Sequence, residues 1–276
     1  NATMAASITA KKLHIKVCHV EAGLRSGDWT MPEEINRIVT DRLSDLLLTP
    51  DKISVENLKR EGVAESAIRF VGNIMIDSLE SNRLKAEKLN LRQIVLSNLI
   101  STHNEVVFKG AEFVVMTLHR PSNVDDKDQL TELFDLFNEV AKIRKVLFPI
   151  HPRTMKNLDT FGIKNKLDKN IILTDPIGYI DFLKCTKNAE LILTDSGGIQ
   201  EESTFLGVQC ITLRTSTERP ITVELGTNQL LGNDLNKVKE VTFEVLNGKL
   251  KIGSVPPLWD GKAAERICEI ISKINF

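Results

Sequence analysis

The stretch Leu191-Ile192-Leu193-Thr194-Asp195-Ser196-Gly197-Gly198-Ile199-Gln200-Glu201-Glu202 decides the fold class of this 276-residue chain. Its short apolar start predicts a buried strand, which ends in Asp-Ser-Gly-Gly. Ile199, Phe205 and Leu206 give the following residues a rough helical face, and Gly207 is placed to end that helix. The stretch therefore predicts a strand, a small-residue turn and a helix in direct succession.

Such a turn leaves free backbone N–H groups at the start of a helix. The helix dipole favours an anion there, typically a phosphate. Ser196 can add a hydroxyl donor, and Glu202, one turn into the helix, can accept both hydroxyls of a ribose. The alternative is a tight strand-to-helix turn in which Ser196 or Asp195 caps the helix and the glutamates are exposed. This stretch alone leaves both interpretations open.

Bulk properties exclude several classes of function. The formal net charge is −1, so no global positive field favours nucleic acid or an anionic membrane. No apolar run reaches the roughly 20 residues that span a bilayer, and no signal peptide opens the chain. The four cysteines are far apart and lack metal-site spacing. We expect a soluble, reduced, cytoplasmic protein without a nucleic-acid or membrane partner.

The first part of the chain alternates predicted strands, at 15–20, 46–48 and 68–71, with predicted helices at 32–43 and 51–60. Glu21 directly follows the first strand, where open α/β sheets bind ligands, although it can equally be a capping or ion-paired surface residue. Pro32-Glu33-Glu34 is typical of a helix first turn. The opening residues already have a helical pattern, so we expect that earlier strands are missing and that the chain is truncated.

The second part alternates strands and helices regularly, which predicts a parallel sheet covered on both faces. Polar residues follow the ends of its successive strands: His119, His151, Asp175, Ser196 and Glu218. Those ends share one edge of a parallel sheet, where ligand sites form. One such histidine is more often a packed or capping residue, but several converging polar groups predict a site for an anionic small molecule, most simply a nucleotide.

These patterns predict two domains and a connection. Residues 1–76 form the C-terminal part of a first Rossmann-like domain, and residues 77–104 form a connecting helical segment. Residues 105–258 form the second, nucleotide-binding Rossmann-like domain. Residues 259–276 form a C-terminal helix that is expected to pack back toward the first domain.

Several strings of the chain match one known family and keep that family's order over most of the chain. They are His19-Val20-Glu21-Ala22-Gly23-Leu24-Arg25, Pro32-Glu33-Glu34-Ile35-Asn36-Arg37, Gly72-Asn73, His119-Arg120, His151-Pro152, Thr194 to Glu202, Thr217-Glu218-Arg219-Pro220 and Gly226-Thr227-Asn228. The longer strings are specific, whereas the dipeptides are not. On these residues the chain resembles the non-hydrolysing UDP-N-acetylglucosamine 2-epimerases.

The resemblance implies a GT-B-type α/β fold, in which two Rossmann-like domains face each other across a cleft, with the first domain incomplete here. UDP is then held mostly by the second domain. Ser196, Gly197 and Gly198 match the family's diphosphate site, and Glu202 matches the residue that holds the ribose hydroxyls. Phe182 falls where the family places an aromatic ring near uracil; as an alternative it is a core residue.

The resemblance also implies a reaction that inverts C2 of the sugar. The C2 proton and UDP are eliminated to give a 2-acetamidoglucal. UDP then adds back while a proton is delivered to the opposite face of C2. Acid/base groups must therefore lie on both faces of C2, and no nicotinamide, metal or other cofactor is needed. By match Glu21, Glu33 and His119 are catalytic. The further substrate-binding residues implied by match are Arg37, Arg120, His151 and Arg219. Family members are usually homodimers.

The chain departs from the family's pattern in two ways. The family's first strand, a loop with an Arg and a Lys, and a catalytic Asp all belong before Asn1, so we expect this chain alone to be inactive or nearly so. Many bacterial members carry an acidic residue where Ser122 stands, which puts their regulation by substrate in doubt here.

Three other functions stay open. One is epimerisation of another UDP-2-acetamido sugar, such as a diacetamido uronic acid. A second is a GT-B glycosyltransferase, although Glu21 and Glu33 with His119 argue against it. A third is a non-catalytic UDP-binding remnant that keeps only the site at 196–202.

Overall fold

A computed structural model describes residues 1–100 and 112–274. The chain forms two compact units. Unit 1 comprises Asn1–Ser81, Ser216–Gly226 and Val255–Phe276, and unit 2 comprises Asn82–Thr215 and Thr227–Ser254. The boundary predicted between residues 104 and 105, and the last two residues of the predicted C-terminal segment, lie outside the described residues. The domain limits given from the sequence stay predictions.

Unit 1 is built on three parallel strands, β1 (Cys18–Val20), β2 (Leu46–Thr49) and β3 (Ile68–Phe70), in that order. Cys18 pairs with Leu46, and Leu47 pairs with Ile68. The helices are α1 (Ala2–Lys12), α2 (Pro32–Leu43), α3 (Lys52–Arg60), α4 (Ile74–Glu87, continuing into unit 2), α11 (Pro220–Glu224) and α13 (Ala263–Lys273), with a 3₁₀ turn at Glu65–Ala67.

The sheet of unit 1 is covered on both faces because successive side chains of a strand point to opposite sides. Leu47 packs with Leu58 in one buried cluster, and Leu46 and Leu48 pack with Ile267 of α13 in another. The C-terminal segment is also held by hydrogen bonds, since the Trp259 indole donates to the Pro50 carbonyl at 3.0 Å. Helix α13 is thus part of the core of unit 1.

Unit 2 is built on six parallel strands in the order β6-β5-β4-β7-β8-β9. These are β4 (Phe113–Thr117), β5 (Lys145–Pro149), β6 (Ile171–Thr174), β7 (Leu191–Thr194), β8 (Gln209–Thr212) and β9 (Asn228–Leu230). The helices are α5 (Leu91–Ser97), α6 (Pro121–Val124), α7 (Lys127–Ala141), α8 (Pro152–Thr160), α9 (Tyr179–Lys187), α10 (Gly197–Leu206) and α12 (Leu235–Leu246), with a 3₁₀ turn at Lys164–Lys166.

The central strands of unit 2 are apolar at nearly every position because both faces are buried. Val114 and Met116 of β4 face one core cluster, while Phe113 and Val115 face the other. The predicted strands are confirmed to within a few residues. Three short helices were not predicted: α6, α8 and α11. Each begins with a proline at its first position, a start signal that was applied only to α2.

Within the connecting helical segment predicted at 77–104, residues 91–97 form α5, which packs into unit 2. Ile94 and Val95 of α5 are buried in the core of unit 2 with Cys185. Leu99 then forms an antiparallel bridge with Thr174.

Within residues 1–100 and 112–274, no helix combines the length and the apolar character needed to cross a bilayer.

Candidate functional site

The parallel register of unit 2 brings its strand ends to one edge of the sheet. Thr117 lies opposite Thr194, Thr194 opposite Thr212, and Pro149 opposite Thr174. His119, His151, Asp175 and Ser196 follow those residues at this edge, as the sequence analysis expected. Glu218 does not join them. It belongs to a segment of unit 1 and pairs there with arginines.

The turn after β7 has the features of an anion site. Ser196 is the N-cap of α10, but its hydroxyl makes no capping hydrogen bond. Its backbone N–H donates to the hydroxyl of Thr194 at 3.0 Å, which fixes the turn. A Cβ atom added at Gly198 would meet no protein atom within 4 Å, so the protein itself does not require glycine there. The helix ends at Gly207 in a left-handed conformation, as predicted.

A chain of buried side chains holds this turn from behind. The Thr212 hydroxyl donates to Asn228 Oδ1 at 2.7 Å, and Asn228 Nδ2 donates to Gln200 Oε1 at 3.2 Å. Gln200 Nε2 then donates to the Ser196 carbonyl at 3.2 Å. All three side chains are fully buried. The turn is therefore preorganised by Thr212, Asn228 and Gln200, none of which was predicted to be a site residue.

The glutamates of α10 are buried, so the interpretation that placed them on an exposed face is wrong. Glu202 is 6% exposed, and burial raises its pKa to about 7, although a hydrogen bond from Tyr179 acts in the opposite direction. Burial and the neighbouring Glu202 carboxylate also raise the pKa of Tyr179. A desolvated carboxyl group beside a helix start is placed to accept hydroxyl groups of a ligand.

His119 is oriented by Asp195. Its Nδ1 lies 2.8 Å from Asp195 Oδ1, while Asp195 Oδ2 accepts the backbone N–H groups of His119 at 3.0 Å and Arg120 at 2.9 Å. Asn123 Nδ2 donates to the same oxygen at 3.2 Å. Burial alone would raise the pKa of Asp195, but the hydrogen bond and charge of His119 and the backbone N–H groups outweigh it and lower the pKa. Asp195 thus caps the loop after β4, not α10.

A cavity of about 210 Å³ lies at this edge of unit 2. Its lining includes His119, His151, Ile177 and Phe182. The rings of His119 and His151 are 6.2 Å apart, and His151 Nδ1 accepts the N–H of Arg153 at 3.2 Å as the cap of α8. Phe182 also packs against the core, and its place near a uracil ring stays a prediction. The Arg120 guanidinium donates to the Asp195 carbonyl at 3.2 Å.

In unit 1, the residues around Glu21 form a second polar cluster. Glu21 has a left-handed backbone with φ of +65°, an unusual conformation for a residue with a side chain. Its Oε1 is buried and has no hydrogen-bond partner among the described residues. A buried oxygen without a hydrogen-bond partner costs folding free energy, so its presence points to a ligand or a function. A cavity of about 460 Å³ is lined by His19, Glu21, Arg37 and Arg219, together with Thr3, Cys18, Val20 and Leu24.

The two neighbouring glutamates at the start of α2 differ sharply. Glu34 is buried and accepts hydrogen bonds from the N–H groups of Ser26 and Gly27 and from Arg37, which lower its pKa against the opposing effect of burial. Glu33 is exposed and receives no hydrogen bond from the described residues. Glu34 is therefore a structural carboxylate, and Glu33 is free to meet a ligand.

Arg37 and Arg219 are held by acidic partners. Arg37 contacts Glu34 at 3.0 Å and Glu218 at 3.9 Å, and Arg219 contacts Glu218 at 2.8 Å. Glu218 is only 4% exposed, so its charge is compensated by these guanidinium groups. Both arginines line the cavity beside Glu21. Sequence reasoning missed Glu34 as an organising carboxylate, because its burial on the inner face of α2 is visible only in the packed structure.

Two α/β units with parallel sheets, a glycine turn at a helix start and polar strand ends define the class of nucleotide-binding Rossmann-like proteins. A family model described as UDP-N-acetylglucosamine 2-epimerase matches residues 1–272, and the chain belongs to this family.

Individual relatives agree with the family match. The chain is 44% identical over 276 residues to a UDP-N-acetylglucosamine 2-epimerase of Methanocaldococcus jannaschii, covering 99% of this chain and 73% of the relative. It is 36% identical to a UDP-2,3-diacetamido-2,3-dideoxy-D-glucuronate 2-epimerase of Pseudomonas aeruginosa, with the same two coverages. The expectation that the chain alone is inactive draws no support from these matches.

Solved structures give the same result. The M. jannaschii UDP-GlcNAc 2-epimerase, crystallised with UDP-GlcNAc and UDP, superimposes with a TM-score of 0.84 at 43% identity, covering 98% of this chain and 72% of that one. The Neisseria meningitidis enzyme bound to UDP-GlcNAc superimposes with a TM-score of 0.83 at 27% identity, covering 98% and 73%. The predicted fold class, α/β with two Rossmann-like domains of the GT-B type, is confirmed.

Proposed function

We propose that this protein reversibly epimerises UDP-N-acetylglucosamine at C2 to UDP-N-acetylmannosamine. A base removes the C2 proton while the C1–O bond breaks, and its electron pair leaves with UDP. The product of this half-reaction is a 2-acetamidoglucal with a C1–C2 double bond. UDP then adds back to C1 while C2 takes a proton on its opposite face, so atoms and charges balance over the cycle. The relatives' named activities support this assignment.

The observation that carries the proposal is the built anion site of unit 2. The N–H groups of Gly197 and Gly198, together with the Ser196 hydroxyl that makes no capping hydrogen bond, stand at the start of a ten-residue helix with Glu202 buried behind them. Neutral donors and a helix dipole stabilise the charge that develops on departing UDP. Glu202 accepts the ribose hydroxyls, and the cavity beside Phe182 accommodates the uracil ring.

The proposal assigns the proton transfers to Glu21, Glu33 and His119. The unpartnered oxygen of Glu21 and the exposed carboxylate of Glu33 both have the capacity to accept a proton. His119 is held through Nδ1, so its Nε2 is the ring nitrogen available to a ligand. Arg37, Arg120, His151 and Arg219 are the further substrate contacts.

The test is incubation of the protein with UDP-N-acetylglucosamine in deuterated water. We expect deuterium at C2 in a mixture of gluco and manno products. NMR of the sugar protons measures this incorporation. Titration with UDP is the matched binding measurement. Tight UDP binding without any C2 exchange would reject the epimerase and favour the non-catalytic binding function.

A second substrate has a specific observation in its favour, the 36% identity to the P. aeruginosa enzyme named for UDP-2,3-diacetamido-2,3-dideoxy-D-glucuronate. Parallel assays with the two sugars distinguish the substrates by the ratio of kcat/KM. We also propose that the protein forms a homodimer and that it is located in the cytoplasm. Light scattering at several protein concentrations tests the dimer, and fractionation of cells tests the location.

A further inference from the structure

The pair formed by His19 and Asp41 in unit 1 has no role in the proposed reaction as described so far. Their contact is short, with 2.6 Å between His19 Nδ1 and Asp41 Oδ1, and the Asp41 side chain is 1% exposed. Asp41 lies near the end of α2, and His19 lies in β1. Burying a carboxylate costs desolvation free energy, so a buried carboxylate such as Asp41 needs partners that compensate its charge.

Among the described residues, the partners of the Asp41 carboxylate come from the short segment that carries Glu21. Asp41 Oδ2 accepts the N–H of Gly23 at 3.0 Å and lies 2.7 Å from Arg25 Nη1. Gly23 has φ of +83°, and a Cβ there would lie 2.4 Å from the Ser54 carbonyl oxygen, so the segment has no freedom to move on that side. Asp41 therefore fixes the backbone on both sides of Glu21.

The consequence reaches the cavity of unit 1. His19 lines the cavity next to Glu21, and its Nε2 has no hydrogen-bond partner among the described residues. Because Asp41 occupies Nδ1, Nε2 is the nitrogen that can exchange a proton with a ligand or with the buried oxygen of Glu21. The left-handed backbone of Glu21 persists only if its surroundings hold it there.

We propose that Asp41 is a positioning residue for catalysis. It holds the segment Val20–Arg25 in the conformation that presents Glu21, and it orients His19 so that Nε2 serves the cavity. The inference rests on the proposed function, because Glu21 transfers a proton only in that reaction. A purely structural ion pair would stabilise unit 1 without changing kcat selectively.

The experiment compares Asp41→Asn and His19→Asn with the wild type in C2 deuterium exchange and in thermal unfolding. We expect Asp41→Asn to lower kcat about 100-fold while KM changes less than about threefold. In His19→Asn the amide Nδ2 still donates to Asp41 but Nε2 is gone. This variant is expected to keep its Tm within about 3 °C and to lose about tenfold in kcat.

Asp45→Asn is the matched control. Asp45 also accepts a backbone N–H next to β1, that of Val17 at 2.8 Å, and pairs with Lys11, but it does not line the cavity. We expect this variant to lose Tm and to keep kcat within about twofold.

Each failure has a distinct meaning. A wild type without C2 exchange would overturn the proposed function and this inference together. With an active wild type, an Asp41→Asn variant that keeps kcat within about twofold would overturn the inference alone. If Asp41→Asn does not fold, His19→Asn decides: full kcat in that folded variant would overturn the orienting role of Asp41.

Discussion

Among residues 1–100 and 112–274, unit 1 has the pair Asp41–His19 and unit 2 has the pair Asp195–His119, and the two pairs are built differently. In unit 1, the partners of Asp41 all belong to one segment, and the His19 side chain is 14% exposed. In unit 2, Asp195 follows β7 and holds the loop after β4, and the His119 side chain is 44% exposed. The first pair fixes a local backbone conformation, whereas the second joins two strand ends and leaves its histidine open to a ligand.

The surroundings of the two pairs differ as well. The cavity of unit 1 is lined by ionisable groups, with Glu21 beside Arg37 and Arg219. The corresponding edge of unit 2 offers mainly backbone N–H groups and an apolar cavity. Ionisable groups suit proton transfer, and fixed neutral donors suit binding of an anion at little cost in reorganisation. We therefore propose that proton transfer takes place chiefly on unit 1 and nucleotide binding chiefly on unit 2.

The largest expected effect sharpens the assignment within unit 1. Glu33 is exposed and accepts no hydrogen bond from the described residues, so we expect Glu33→Gln to leave Tm nearly unchanged. Because the variant removes a carboxylate proposed to transfer a proton, we expect C2 exchange to fall about 1,000-fold. Its neighbour is the control: Glu34→Gln removes an acceptor of Ser26, Gly27 and Arg37 and should cost about 3 kcal/mol in unfolding free energy. Exchange rates and denaturant unfolding measure the two effects. An active Glu33→Gln variant would contradict the assignment.

The second prediction tests whether the pair in unit 2 also acts on catalysis. Asp195→Asn keeps one acceptor but turns an amide toward the N–H groups of His119 and Arg120, and we expect kcat to fall about 100-fold. Circular dichroism shows whether the variant is folded. A folded variant with wild-type kcat would mean that the exposed His119 needs no orientation by Asp195.

The same variant has a signature in acid. The pKa of Asp195 is lowered in the folded protein, so this carboxylate contributes stability that is present above its ordinary value of 3.8. The contribution is lost as the pH falls through the lower folded value. We therefore expect the difference in unfolding free energy between wild type and Asp195→Asn to shrink below about pH 4, measured by urea unfolding across that range.

The sequence predicted the sheet of unit 2 well because buried parallel strands are continuous apolar runs with polar residues at their ends. It placed Ser196, His119 and His151 at one edge for that reason. It failed for Glu218, since chain order alone cannot show that residues 216–226 return to unit 1. It also could not separate Glu33 from Glu34, because two adjacent acidic residues in a first helical turn look alike until their exposure is known.

The organising aspartates were missed for a related reason. Asp41 and Asp195 act through partners that lie 16 to 76 residues away in the chain. Local pattern gives no information about such contacts, so Asp195 was considered only as a cap for its own helix. The residues that touch a ligand follow from motif and strand order, whereas the residues that hold them follow only from the packed structure.

The third prediction concerns the binding side of the comparison. Burial raises the pKa of Glu202 to about 7 in the folded protein, so the folded state holds a proton that the unfolded state releases above pH 4.5. Stability is therefore lost as the pH rises from 4.5 to about 7, by up to about 3 kcal/mol. Glu202→Gln should lack this loss and bind UDP about 30-fold more weakly.

Urea unfolding between pH 4.5 and 8 and calorimetric titration with UDP measure both effects. Glu190→Gln, which removes a surface partner of Arg144 outside the site, is the control and should change neither quantity. Equal pH dependence in Glu202→Gln and the wild type would contradict the assignment of the titrating group.

The smallest effect separates the anion site from the helix that carries it. A Cβ at Gly198 meets no protein atom, so Gly198→Ala should leave Tm unchanged or slightly raised, yet weaken UDP binding about tenfold by obstructing the phosphate. Gly207→Ala is the opposite case, because its left-handed backbone at φ of +71° is strained with a side chain. It should lose about 1 kcal/mol of stability and keep UDP affinity. If Gly198→Ala bound UDP as the wild type does, the helix start would not be the diphosphate site, and nucleotide binding would no longer distinguish unit 2 from unit 1.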